Sequence, residues 1–404
     1  MPIDLGLARI TKLLAHLNNP QNAFKSVHIA GTNGKGSTLA YLSSILTQAN
    51  IRNGKFTSPH IINYHDCISI NNQTYPKQKF DEINNQVITI DKQLGLQCTE
   101  FEILTATAFK IFDVEKIQIG LIEVGVGGKL DATNVLEPCN DKRSGGVVVT
   151  GITKIGVDHE TLLGKGIKAI AEQKAGIMKL NVPCFVDGSN DDSVLQVMKD
   201  VSNEVQCPLT LVPQSTSFIE FSPLKGTYQA SNLSLALAIL KCLPYKINDN
   251  VIQEGISKTY WPGRLQIIKH AKLGNILIDG AHNEGAAIEL GKYLRETYNN
   301  EPVVFVIGMT RGKQVDGLFK HILRENDTVI PTLFTQPENM PWINCESIDK
   351  LADVAEKYCK VEKVNDSAYI KDVFKYLEDN HKGKSIVMCG SLYLCGDVLR
   401  EVGV

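Results

Sequence analysis

The chain has almost no net charge, no long apolar run and no paired cysteines, and each absence excludes a class of function. Its 42 Lys and Arg stand against 44 Asp and Glu, leaving −2 at neutral pH. So even a balance gives no general attraction to nucleic acid or to an anionic membrane, and any bound anion must be held by a local site. No stretch approaches the roughly 20 apolar residues that span a bilayer, so a soluble protein with no membrane partner is expected. The ten cysteines are scattered, with no C-x-x-C pair and no clustered histidines. This disfavours a zinc site and a disulfide framework, and fits buried thiols in a reducing compartment. Residues 1–17 carry Asp4, Arg9 and Lys12 among leucines, without a continuous apolar segment. No secretory signal is therefore expected; the cytosol is the default, and a mitochondrial pool remains compatible.

What is present is ordinary globular material, 43% hydrophobic and 21% charged over 404 residues. That is room for about two or three domains. Apolar runs at 26–30, 117–124, 146–152 and 182–186 read as strands, and helical spacing at 37–48, 101–112 and 168–178 lies between them. Strands alternating with helices imply parallel sheets covered on both faces. A second alternating series runs through 275–279, 302–307, 328–334 and 385–389. Residues 260–273, with Trp261-Pro262-Gly263-Arg264, carry turn chemistry between the two series, which places a boundary near residue 268. Asn71-Asn72 reads as the turn of a small hairpin between 67–70 and 73–75.

The strongest motif is Gly31-Thr32-Asn33-Gly34-Lys35-Gly36-Ser37-Thr38. It follows a strand and opens a helix, where backbone N–H groups and the helix N-terminus face an anion and Lys35 adds a point charge. The spacing departs from G-x-x-x-x-G-K-[ST], because Ile29 stands at the first glycine position and Gly36 separates Lys35 from the hydroxyl. Glu123 closes an apolar strand just before Gly125-Val126-Gly127-Gly128. A carboxylate there sits where open α/β sheets bind ligands, and it can hold magnesium. Asp158-His159 follows the 146–152 strand, and His159 reads equally as a metal ligand or a loop histidine. Lys174 lies on a helix among small and apolar neighbours; read alone, it is a solvated lysine. Asp279-Gly280-Ala281-His282-Asn283 again puts an acid at a strand end before a glycine turn. With no G-x-S-x-G and no G-x-G-x-x-G, neither a serine hydrolase nor a dinucleotide oxidoreductase is supported.

Together these segments resemble the folylpolyglutamate synthase and dihydrofolate synthase branch of the Mur ligase superfamily. The resemblance is carried by GTNGKGS at 31–37, Thr57-Ser58-Pro59-His60, EVGVGGKLDATN at 123–134, DHETLLG at 158–164, QKAGI at 173–177, WPGR at 261–264, DGAHN at 279–283 and CGSLYL at 389–394. TEFEILTATAFK at 99–110 and MPWI at 340–343 are most similar to the fungal monofunctional type. The resemblance implies a two-domain α/β fold: an N-terminal P-loop-type Mur-ligase nucleotide-binding domain at 1–267 and a smaller Rossmann-like C-terminal domain at 268–404. It implies a monomeric ATP- and magnesium-dependent ligase that joins L-glutamate to dihydropteroate through an acyl phosphate. Addition of glutamate to reduced folates, or both activities, is the alternative.

The resemblance also implies residue roles. Asn33, Gly34, Lys35, Gly36, Ser37 and Thr38 would hold the phosphates, and Ser58, Glu123 and His159 the magnesium. Asn232, Arg264 and Asp279 would contact the nucleotide. Lys174 would be carbamylated and, with Lys35 and His159, catalytic. Thr99, Glu100, Phe101 and Glu102, with Leu130, Asp131 and Ala132, would contact the pterin, Asp131 as its polar partner. Arg311, Lys313 and Ser391 are candidates for the glutamate. One departure bears on substrate: many family members continue after Ser58-Pro59-His60 with a basic Arg-x-x-Glu-Arg pattern, whereas residues 63–69 here read NYHDCIS. The loss of those arginines fits a substrate that arrives without a glutamate tail.

Overall fold

The computed structural model describes residues 4–139, 145–299 and 301–403, and all counts refer to these. The chain divides into two compact units. The first comprises Met1–His60, His65–Pro223 and Tyr228–Tyr260; the second comprises Ile61–Tyr64, Leu224–Thr227 and Trp261–Val404.

The first unit is built on a sheet of strands β1 (Lys25–Ala30), β2 (Asn53–Phe56), β3 (Ile68–Ile70), β4 (Gln73–Thr74), β5 (Ile119–Glu123), β6 (Gly146–Ile152), β7 (Cys184–Asp187) and β8 (Leu209–Val212). Their order is β4-β3-β2-β5-β1-β6-β7-β8. The pairs from β2 through β8 are parallel, while β3 runs antiparallel to both β2 and β4. Strand β5 is buried at every position, as expected of a parallel strand covered on both faces. The expected hairpin is present, with Asn71 and Asn72 at φ 49° and 62°, the paired positive values a two-residue turn of matching twist requires. Helices Lys35–Gln48, Glu100–Val114 and Gly166–Ala175 follow the helical stretches read from sequence, and each begins earlier than its apolar spacing suggested.

The order of β2, β5, β1 and β6 has a direct functional consequence. Their carboxyl ends lie side by side, so the segments that follow them, 57–60, 124–135, 31–38 and 153–159, share one edge of the sheet. Ligands of open α/β sheets bind at such an edge.

The second unit is a sheet of β9 (Gln266–His270), β10 (Gly274–Asp279), β11 (Val303–Ile307), β12 (Thr328–Pro331), β13 (Lys360–Val361) and β14 (Ser385–Cys389), in the order β13-β12-β11-β14-β10-β9. All neighbours are parallel except β9 and β10. Ile276, Ile278, Val304, Val306, Ile386 and Met388 form the middle of its core, with Ile61 packed against them. Strand β9 corrects the expectation of an irregular turn through 260–273, and it contains the boundary placed near residue 268. Of its five residues only Ile268 is buried, while Ile267 is half exposed, so this edge strand shows no apolar run. The strand expected over 328–334 stops at Pro331. Among the described residues, no helix is long and apolar enough to cross a membrane.

Candidate active site

The loop from Gly31 to Thr38 turns out of β1 into the helix Lys35–Gln48. Gly31 and Gly34 sit at φ 149° and 99°. A Cβ on the first would run into Thr153 Oγ1, and one on the second into Asn232 Oδ1. Only glycine fits both the backbone and the space. The loop is fastened to the segment after β6: the backbone N–H groups of Thr32 and Asn33 both donate to Lys154 O, and Thr32 Oγ1 pairs with Gly156. Gly34 caps the helix without a side-chain hydrogen bond, and the first turn holds no acid. The helix N–H groups and the positive end of the dipole are therefore left for an external anion. Thr38 Oγ1 is buried with no hydrogen-bond partner among the described residues, and Ser37 is buried beside it.

Lys35 folds back over this loop. Its Nζ donates to Gly31 O at 3.1 Å and lies 3.6 Å from Glu123 Oε1. Glu123 is only 5% exposed. A buried carboxylate against a lysine, at a strand end and beside an uncapped helix, suits a hard divalent cation bridging to phosphate. Ser58 and His159 follow β2 and β6 on the same edge. His159 is in the left-handed conformation at φ 55°, its side chain 41% exposed and 3.9 Å from Asp158. Among the described residues, no three His, Cys, Asp or Glu side chains form a ready-made metal cluster. The expected set contains only two such residues and needs phosphate and water oxygens to complete it. The donor types and the orphaned Thr38 hydroxyl fit a metal–nucleotide complex.

Lys174 overturns its isolated reading as a solvated side chain. It is 5% exposed, and its Nζ donates to Gly31 O at 2.8 Å. Burial first, and the Lys35 charge second, push its ammonium down to about 7. Lys174 stands one helical turn after the buried Ile170 and shares its face, which is the sequence signal that marks it as an inward lysine.

The pterin-contact candidates divide. Thr99 and Glu102 form the capping box of the helix Glu100–Val114, and Arg9 Nε donates to both Glu102 oxygens at 3.2 and 3.0 Å. These two are buried and occupied as helix-end chemistry. Phe101 is half-buried and stacks on Phe56 with ring centroids 5.9 Å apart, offering an apolar face beside the partly exposed Glu100. Leu130 is 43% exposed, whereas Ala132 is buried.

Asp131 departs from its expected role as an open polar partner. It is 1% exposed: Oδ2 accepts from Val126 N at 2.9 Å, and Oδ1 accepts from Thr133 N at 3.0 Å and Thr133 Oγ1 at 2.5 Å. Thr133 Oγ1, spending its proton on Asp131, accepts from His28 Nε2 at 2.8 Å. Asp131 thus ties the turn after Glu123 to the next turn. Burial raises its carboxyl against the hydrogen bonds that hold it down.

His28 in this chain is fully buried and held well below the ordinary histidine value of 6.5, chiefly by burial. It stays neutral in the folded protein, whereas the unfolded chain takes up a proton below that value. Stability contributed by the neutral ring is therefore present above about pH 6.5 and is lost on acidification, at about 1.4 kcal/mol per pH unit. Urea unfolding between pH 6.5 and 5 should show this extra slope in the native protein, and His28→Gln should remove it. Equal slopes in the two proteins would mean that the folded ring is protonated.

In the second unit, Asp279 at the end of β10 braces two turns. Its oxygens accept from Leu265 N and Ala281 N, both at 2.8 Å, and Gly280 N donates to Gly263 O. The Arg264 guanidinium covers Gly280 and counters the burial that raises the Asp279 carboxyl. WPGR and DGAHN, separated in sequence, are thus one local structure. In the first unit, Asn232 stands over Gly34 on the helix Gln229–Cys242 and donates to Gln229 Oε1 at 3.0 Å. Ser391 caps the helix Leu392–Val402, while Arg311 is exposed. Three residues of the network went unmarked in the sequence: His28, Thr133 and Lys55, a 7% exposed lysine on β2. For Lys55, whose four-residue strand reads NGKF, the local sequence carries no signal of burial.

Comparison with known proteins gives one consistent result. A family model described as dihydrofolate synthetase, C-terminal domain, matches residues 265–401. The chain is similar to dihydrofolate synthetase of Saccharomyces cerevisiae, with 41% identity over 99% of this chain and 98% of that protein. It resembles the crystal structure of Mycobacterium tuberculosis folylpolyglutamate synthase complexed with ADP and AMPPCP, at 26% identity and a TM-score of 0.85 over 99% of this chain and 96% of the other. It also resembles the bifunctional folylpolyglutamate synthase/dihydrofolate synthase of Yersinia pestis complexed with AMPPNP and Mn ion. There the identity is 25% and the TM-score 0.83, over 100% of this chain and 95% of that one.

Proposed function

Because the chain belongs to the dihydrofolate synthetase and folylpolyglutamate synthase family, we propose that it joins L-glutamate to dihydropteroate with ATP, releasing dihydrofolate, ADP and phosphate. The full-length match at 41% identity to a dihydrofolate synthetase carries this reading. The arginine-free 63–69 segment supports a substrate without a glutamate tail.

The chemical problem is that a carboxylate has no leaving group. ATP with its divalent cation supplies a phosphoryl group that converts the carboxylate to an acyl phosphate, which the glutamate amine then opens. The protein's share is positioning and electrostatics. In this reading the 33–38 backbone and Lys35 hold the phosphates, with Thr38 as the unpaired hydroxyl. Ser58, Glu123 and His159 hold the metal. Asn232 and Arg264 bind the nucleotide, and Asp279 acts indirectly, by bracing the turn that presents Arg264. Phe101 and Leu130 supply apolar contact to the pterin, while Asp131 sets the shape of the loop after Glu123 from beneath. The ten free cysteines fit an enzyme of a reducing compartment, the cytosol in this reading, with a mitochondrial pool compatible.

The test is ADP release by the purified protein with magnesium-ATP and L-glutamate, comparing dihydropteroate with tetrahydrofolate. Turnover with dihydropteroate alone is expected. Turnover with tetrahydrofolate alone would instead make the enzyme a folylpolyglutamate synthase, the activity named for the Mycobacterium relative.

A further inference from the structure

Strands β6 and β7 last pair at Ile152 and Val186, and beyond them the side chain of Asn190 holds the two segments together. Asn190 is 5% exposed and lies in none of the motifs above. Its Oδ1 accepts from Ile155 N at 2.8 Å, and its Nδ2 donates to Thr153 O at 3.2 Å and to Asp187 O at 2.8 Å. The amide can face only one way, because Ile155 N offers a proton and the two carbonyls offer lone pairs. The bond to Asp187 O belongs to the turn that Asn190 itself is in. Those to Thr153 and Ile155 reach back 37 and 35 positions, and the turn does not need them. The half-exposed Lys154 ammonium adds a bond to Ser189 O.

Ile155 N and Lys154 O are the two polar ends of one peptide group. That group is planar and trans, so its N–H and C=O point in opposite directions. Asn190 holds the N–H end. At the other end Lys154 O accepts from Thr32 N at 2.9 Å and from Asn33 N at 3.1 Å, the backbone bonds that fasten the phosphate loop. A rigid group gripped at one end is aimed at the other. We infer that Asn190 is a positioning residue of the nucleotide site, setting the phosphate loop through the peptide group between Lys154 and Ile155. The inference rests on the phosphate-loop reading above. Without Asn190 the buried Ile155 N–H and Thr153 carbonyl lose their partner, and the peptide group is free to turn toward another. The Thr32 and Asn33 amides then lose a fixed acceptor, and the loop its fixed height above the sheet edge.

Two readouts on the full chain test this: ADP affinity by calorimetry, and hydrogen exchange of the Thr32 and Asn33 amides by mass spectrometry. Asn190→Ala should weaken ADP about tenfold and speed exchange at both amides about tenfold or more. Asn190→Leu, which fills the space without a hydrogen bond, is held to the same two shifts should the alanine variant fail to fold. Val197→Ala is the control, a buried residue of the helix Asp192–Val205 with no side-chain hydrogen bond to give. It should lose stability yet keep ADP affinity and exchange at Thr32 and Asn33 within twofold of the native protein. A merely structural asparagine would behave like this control, and ADP affinity within twofold in the Asn190 variant overturns the proposal. So does weakened ADP with unchanged exchange, because the effect then does not pass through the loop amides. Lys35→Ala separates the two readings: if it weakens ADP and the Asn190 variant does not, Asn190 alone is misassigned, and if neither weakens ADP, the phosphate-loop reading falls with it.

Discussion

Lys35→Ala is expected to lower turnover about a thousandfold or more and to leave the melting temperature within a few degrees of the native value. A thousandfold is about 4 kcal/mol of transition-state stabilisation, the scale of one well-placed charge in a site that excludes water. Lys35 can supply it because it is already in place. Its Nζ is held by Gly31 O and Thr32 O on one side and by Glu123 on the other. The fold should survive because the loop is fastened through Thr32, Asn33 and Lys154 by backbone bonds that do not involve the lysine side chain. Glu123 also keeps Lys55 as a charged neighbour. The check is steady-state ADP release alongside thermal unfolding. A folded variant that retained near-native turnover would remove the loop from the reaction.

The second large effect is at Lys174. Lys174→Ala should lose at least about a hundredfold in turnover, and formate or acetate should restore part of it. Burial and the Lys35 charge bring the Lys174 ammonium to about 7, so near neutral pH a sizeable fraction is the free amine. Only the free amine adds to carbon dioxide, losing a proton as it becomes a carbamate. The site's electrostatics favour that product, because an anion there relieves the repulsion between Lys174 and Lys35 and replaces it by attraction. The same logic sets the pH dependence: acidification below about 7 protonates the amine and should lower the activity of native enzyme at limiting bicarbonate, with added bicarbonate restoring more of it as pH rises. A Lys174→Ala enzyme fully active without added acid would show that no carboxylate is needed at this position.

Much of the candidate site was readable from the chain because it is written in local chemistry. A strand running into the eight residues Gly31 to Thr38 and on into a helix marks a candidate anion site, since such a ligand would meet backbone groups whose geometry is largely local to that segment. Glu123 is legible for the same reason, as an acid closing an apolar strand. The alternation of apolar runs determined two parallel-rich sheets, and Asn71-Asn72 the hairpin between β3 and β4. What only the tertiary structure decided concerns groups whose environment comes from distant segments. Lys174 is a surface residue or a perturbed amine depending on whether Gly31 O, 143 positions away, lies over it. Asp131 is an open contact or a buried brace depending on Val126, Thr133 and the His28 ring behind them. Lys55 is opposite Leu121, and buried, only through the register that sets β2 beside β5. Charge and burial act through space and fall off with distance, so a side chain's ionisation depends on neighbours that its local sequence does not contain.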